Sequence, residues 1–158
     1  MAKIERKGFA TFIMAQTSTP AYELIGTDLE ELNVDMNANV VKTANILGIS
    51  SVSIDKYEKQ SSIDPYKADS GTDLFIWLKE ILDDELVLDD LNTTVVQCDL
   101  FGTETTGSYP AIEEDAMVEI VSYGGNTEGF QIPYNIHYKG IRRKGTFDPS
   151  TKTFTEAV

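Results

Sequence analysis

The sequence predicts a mainly β protein with a single α-helix, and two observations carry that reading. Short runs of alternating apolar and polar residues recur along most of the chain. One segment alone, DLFIWLKEILDD (73–84), has its apolar residues at helical spacing. Alternation at period 2 marks a strand with one face buried and one face wet, whereas a repeat near 3.6 marks a helix with an apolar stripe. At 158 residues, 41% hydrophobic and 25% charged, the chain reads as one soluble domain, 1–158, long enough to bury a core.

The strands follow in order. Gly8–Ala15 and Tyr22–Gly26 are short candidates. Residues 32–41, LNVDMNANVV, alternate cleanly, with Val34, Met36, Ala38 and Val40 on one face and Asn33, Asp35, Asn37 and Asn39 on the other. Ser50–Tyr57 is a further candidate, and 93–101, TTVVQCDLF, turns Val96, Cys98 and Leu100 inward. Residues 116–123 and 130–139 flank Gly124–Gly125–Asn126, a turn-forming cluster that suits a hairpin. In the second of these, Phe130, Ile132, Tyr134, Ile136 and Tyr138 share the inward face. Pro133 lacks a donor, which places it at a sheet edge or with its missing N–H outward. A last hairpin is expected over 140–156, turning at DPST (148–151).

The helix is expected over about 71–84. Ser70 with Asp73 three residues on resembles a capping box and starts it. At about 100° per residue, Leu74, Phe75, Trp77, Leu78, Ile81 and Leu82 form one stripe able to pack on a sheet. Ile76 falls on the polar side, either simply exposed or covered by a second subunit. Residues 102–115, GTETTGSYPAIEED, have no periodicity and read as a long exposed loop ending in Glu113, Glu114 and Asp115.

Sites of chemistry are hard to find. His137 is the only histidine and Cys98 the only cysteine, too few for a usual zinc site. No phosphate-binding glycine loop is present, and the acidic run at 113–115 lacks the ligand alternation of a calcium loop. Carboxylates are plentiful, so their number alone leaves a glycosidase-type pair open. No catalytic residue, cofactor or metal ligand is assigned, and an enzyme is not expected. No run of about 18 apolar residues exists to span a membrane, and the N-terminus lacks the apolar core of a signal peptide, so synthesis in a cytosol is expected.

The net charge of −13 is unevenly spread: residues 8–138 hold 23 acidic and 5 basic residues, while 1–7 and 139–158 together hold 8 basic and 3 acidic. An acidic body keeps a protein soluble, and it also offers a surface for the basic end of a neighbouring copy. Nucleic-acid binding of the usual kind is disfavoured, since no extended basic face is available to neutralise phosphates.

Three stretches resemble the major tail protein, or tail tube protein, of long-tailed non-contractile bacteriophages and prophages of Gram-positive hosts. They are DPYKAD (64–69) leading into the helix with Trp77–Leu78, LNTTVVQC (91–98), and IPYNIHYKGIRRKGTFDPSTKTFTEA (132–157). The resemblance implies a β-sandwich or barrel-like tube fold with a flanking helix. It also implies self-assembly into hexameric rings stacked head to tail, as a virion component made in the bacterial host cytoplasm. The channel would hold the tape-measure protein and pass DNA without reading its sequence, and the tube ends would meet tail terminator and distal tail proteins. Some members carry an immunoglobulin-like C-terminal domain; with Val158 closing this sequence, that addition is expected to be absent.

Open-ended stacking needs two unlike surfaces on each subunit. The sign asymmetry supplies candidates: basic Lys139, Arg142, Arg143, Lys144 and Lys152 on the C-terminal hairpin, against Glu113, Glu114 and Asp115 of an adjoining ring. Asn33, Asp35, Asn37 and Asn39 are candidates for the lumen wall, with a solvated outer face as the other reading. Two rival functions stand beside this one. They are the tube of a contractile tail, phage-like bacteriocin or type VI-like secretion system, and a stand-alone β-sandwich binding module acting through the 102–115 loop.

Overall fold

In a computed structural model, residues 2–157 are described, and they form a mainly β architecture built on one large antiparallel sheet with a single α-helix. The strands are β1 (Phe9–Ala15), β2 (Ala21–Ile25), β3 (Val34–Asp35), β4 (Ala38–Ala44), β5 (Ser50–Tyr57) and β6 (Gln60–Ile63) before the helix α1 (Asp73–Asp84). After it come β7 (Asn92–Asp99), β8 (Tyr109–Ile120), β9 (Gly124–Asn126), β10 (Gly129–Gln131), β11 (Tyr134–Asp148) and β12 (Thr153–Glu156). The main sheet runs β2-β1-β7-β8-β11-β6-β3, with β12 beside the far half of β11. Two small pairs, β4–β5 and β9–β10, stand apart from it.

The helix forms where its stripe dictates. Leu74, Trp77, Leu78 and Ile81 are buried, with Phe75 and Leu82 partly buried against the same cluster. The start lies two residues later than the expected capping box: Thr72, and not Ser70, is the N-cap, and its hydroxyl accepts from Phe75 N at 3.3 Å. The first two helical amides go elsewhere. Asp73 N and Leu74 N donate to the Glu23 carboxylate of β2, at 2.8 and 3.2 Å. A carboxylate at the positive end of the helix dipole satisfies orphan donors and ties the helix to the sheet. Glu85 ends the helix in the left-handed region, φ 48°.

Both faces of the central strands are buried. Ile13, Val95, Val118, Ile136 and Tyr138 pack with the helix on one side. On the other side Phe12, Tyr22, Val96, Cys98 and Phe147 form a second cluster, with the Phe12 and Phe147 rings 4.6 Å apart. Alternation along 93–99 therefore has apolar residues on both parities, as a strand covered on both faces requires.

Four expectations change. Residues 109–115 are the first half of β8 and not loop, so the irregular segment after β7 is only 100–108. The run 32–41 is not one strand. It breaks at Asn37, whose φ of 46° turns the chain out of the sheet, and Met36, Ala38 and Val40 are exposed. Residues 124–126 are themselves a strand, β9, paired with β10; Pro133 lies just before β11, outside the ladder, and Phe130 of β10 is exposed. Finally, 134–148 is one long strand with an irregularity between Tyr138 and Arg142, where Gly140 takes φ 83°. That bulge lets β11 pair with β6 on one side in its first half and with β12 in its second.

Candidate functional site

The most unusual feature is the β4–β5 hairpin. All fifteen residues of its two strands are exposed, and the strands pair only with each other. The register is Val40 opposite Ile54, Lys42 opposite Val52 and Ala44 opposite Ser50, which puts Val40, Val52 and Ile54 on one face. The other face carries Thr43, Ser51 and Ser53 with Val41, and the Thr43 and Ser51 hydroxyls lie 2.6 Å apart. Beyond the strands, Ile46, Leu47 and Ile49 stand fully or largely in solvent. They are held there by local chemistry: Asn45 Oδ1 accepts from Leu47 N at 2.9 Å and Ile49 N at 3.0 Å, and Gly48 turns the chain at φ 79°. A lone two-stranded hairpin is marginal in water, so an apolar one with both outer edges unpaired is suited to being covered.

The root of the hairpin is firmly anchored. Lys59, two residues past β5, donates through Nζ to Glu114 Oε1 at 2.5 Å. Glu114 is 2% exposed and also accepts from Gly140 N at 3.2 Å, with Arg142 Nε at 3.3 Å. Lys59 Nζ sits over the Tyr138 ring, and the Lys59 carbonyl accepts from Tyr138 N. Asn37 Nδ2 caps the Glu58 carbonyl at 3.1 Å across the root.

The acidic and basic candidates are thus brought together within one chain. The strand register sets Arg142 opposite Glu114 and Arg143 opposite Glu113. Arg143 donates to Glu113 at 2.8 Å and Asp115 at 2.7 Å, and these two carboxylates, Asp115 foremost, hold its guanidinium charge still more firmly. The Tyr22 hydroxyl also donates to Glu113; burial and that bond raise its pKa. These arginines and acids are therefore already paired within one chain. Lys139 donates to Asn92 Oδ1 at 2.5 Å, while Lys144 and Lys152 are exposed, without ion pairs among the described residues.

The lumen candidates are dispersed. Asn33 donates to Glu31 and Asn39 to Asp55, Asn37 braces the root, and Asp35 is exposed on β3, so the four do not share one strand face. Ile76 is half exposed on the outer side of α1. His137 Nε2 lies 2.9 Å from Glu119 Oε1, and this contact, with Asn135, holds the Glu119 carboxyl below its ordinary range. Among the described residues, no group of three His, Cys, Asp or Glu side chains is placed to hold a metal ion. Among the described residues, no helix is long and apolar enough to cross a membrane.

Two open apolar grooves complete the surface. One, of about 720 Å³, lies between the N-terminal turn and residues 24–32, with Arg6, Lys7 and Lys152 and also Glu30 and Glu31 in its lining. The other, of about 680 Å³, lies between the end of α1 and the end of β8. Periodicity within each strand does not reveal that 38–44 and 50–57 pair with each other. The signal was present in ANILGIS (44–50), a Gly-containing turn between two alternating runs. Compared with known proteins, the chain matches no family model and no curated protein.

Proposed function

We propose that this protein is a structural subunit that assembles with copies of itself into the tube of a phage tail, in hexameric rings stacked to form a DNA conduit. The observation that carries the reading is the projecting hairpin, with an apolar face and tip and two unpaired edges on an otherwise well-packed body. The large sheet with one flanking helix is compatible with the barrel-like tail tube fold, and the three stretches resembling tail tube proteins point the same way.

The energetics favour rings over pairs. Covering Val40, Ile46, Leu47, Ile49, Val52 and Ile54, most of them already half exposed or more, contributes roughly 6–12 kcal/mol gross. That is about the size of the cost of bringing two proteins together. One such contact makes a weak pair; a closed ring, in which every subunit gives and receives it, is firm. Net negative charge suits a conduit, because a wall rich in Lys or Arg would hold DNA by counterion release. Tape-measure protein, tail terminator and distal tail proteins are the partners this role implies.

The test is negative-stain microscopy of concentrated protein beside the Val52→Asp/Ile54→Asp variant. Rings or tubes from the parent and none from the folded variant are expected. A parent that stays monomeric at every concentration and salt would overturn the proposal.

A further inference from the structure

The groove at the end of α1 has three properties that belong together. Its walls are apolar, with Leu82, Leu86, Val87, Val121 and Tyr123 along it. It contains an unfinished sheet edge: β7 begins at Asn92, opposite Met117, whereas β8 runs on to Ile120 with β11 on its other side only. Val118 is fully buried, so the strand end at Glu119–Ile120 is what meets the groove without a neighbouring strand. Its rim carries Glu85, and Glu119 beside His137, and α1 ends in Asp83 and Asp84 with Glu85 as its C-cap and no basic residue in the last turn. Negative charge at a helix C-terminus is unfavourable unless a cation is brought to it. Lys79 reaches Asp83, and Glu85 has no ion pair among the described residues.

The hairpin carries the complementary set. Its apolar face has Val40, Val52 and Ile54, its β4 edge is unpaired, and the one charged residue on that face is Lys42. Lys42 has no ion pair among the described residues, whereas Lys56 pairs with Glu58 and Asp55 accepts from Asn39. The hairpin leaves the sheet beside Tyr138, toward the Arg142 end of β11. The groove runs the other way, past Ile120, which is opposite Tyr134. Knob and socket thus lie toward opposite ends of the sheet.

We infer that the hairpin of one copy docks in the α1–β8 groove of a second copy, with β4 beside the end of β8 at Glu119–Ile120 and Lys42 at Glu85. Strand addition supplies backbone hydrogen bonds, and alternate side chains supply the fit. The other groove is a poorer charge match, because Arg6, Lys7 and Lys152 outnumber Glu30 and Glu31 in its lining and Lys42 would meet a net positive rim. Because hairpin and groove are different surfaces, the contact is heterologous and extends without limit unless a ring closes it. The inference rests on the self-assembly reading and goes further by naming the receiving surface.

Two experiments on the full chain test it. First, Val40→Cys protein is mixed with Val87→Cys protein under mild oxidation, with Val40→Cys plus Leu24→Cys as the arm for the other groove; Cys98 is fully buried and stays silent. A covalent dimer in the Val87 mixture alone is expected. A dimer in the Leu24 mixture alone overturns the assignment but leaves self-assembly standing, and so does assembly with no dimer in either mixture. Absence of assembly by the parent overturns both. Second, Lys42→Glu and Glu85→Lys each raise the concentration needed for assembly about tenfold, and Lys42→Glu/Glu85→Lys restores it. Unchanged assembly by either single variant, or no recovery in the double variant with its monomer folded by circular dichroism, overturns the pairing.

Discussion

Replacing Glu114 by Ala tests the reasoning about the hairpin root most directly. Its carboxylate is 2% exposed and is the buried partner of Lys59 Nζ at 2.5 Å, where the Lys59 side chain is only 10% exposed. Arg142 is 44% exposed and can turn to water. The loss is therefore governed by Lys59, left as a buried cation without its partner, and by the Gly140 amide, left without its acceptor. Removing one member of a buried pair costs about 3–5 kcal/mol. For a chain of this size that lowers Tm by about 6–20 °C. Glu114→Gln keeps the shape and an acceptor and costs about 1.5–3 kcal/mol. Lys79→Ala, which removes the exposed helix pair with Asp83, costs about 0.3–0.5 kcal/mol. Urea unfolding followed by the fluorescence of Trp77, the only tryptophan and 2% exposed, measures all three. The Lys59→Met/Glu114→Met variant should recover most of the loss, since neither charge remains to be desolvated. A Glu114→Ala protein within about 1 kcal/mol of the parent would refute the buried-pair account, since that account requires about 3–5 kcal/mol.

Further outcomes follow from the same geometry. Arg143→Glu places a third carboxylate beside Glu113 and Asp115, so it should lower the urea midpoint of the monomer, whereas Lys152→Glu, exposed and without an ion pair among the described residues, should leave it unchanged. The Cys98 thiol is pushed up to about 11 from 9.0 by burial and, secondarily, by Asp99, so a thiol reagent at pH 8 should modify it only in denaturant. Because the folded value lies above the unfolded one, the thiol's contribution to stability is intact below about pH 9 and is lost as pH rises toward 11. A denaturation midpoint that does not fall across that window, relative to Cys98→Ala, would contradict this. At Gly145 a Cβ would lie 2.1 Å from the Thr155 carbonyl oxygen, so Gly145→Ala should peel β12 from β11. Limited proteolysis within 149–157 that is faster than in the parent would show it.

Much of this architecture was legible in the chain. The helical stripe of 73–84, the strand runs at β1, β5 and β7, and the inward set Ile132, Tyr134, Ile136 and Tyr138 are local patterns. They depend on which neighbours share a face, and periodicity alone decides that. The lone helix in a strand-built chain follows equally directly, because its four buried residues need a sheet to cover them.

Tertiary structure decided the rest. Residues 109–115 look like a loop because they are polar, yet they form a strand: Glu113, Glu114 and Asp115 gain Arg142, Arg143 and Lys59 as partners from β11 and the hairpin root. Buried charge is tolerable only when paired, and the partner of Glu114 lies 55 residues away. Alternation in 32–41 promised a half-buried strand, but alternation cannot say whether anything covers the apolar face. In this chain Val34 packs against the core, but beyond it Asn37 turns β4 and β5 into solvent, and their apolar side chains are left for another surface to bury. Local patterning therefore settled the helix and most strands, though not the strands at 109–115 and 124–126. Long-range pairing settled which charges are spent inside the fold and which apolar surface remains exposed.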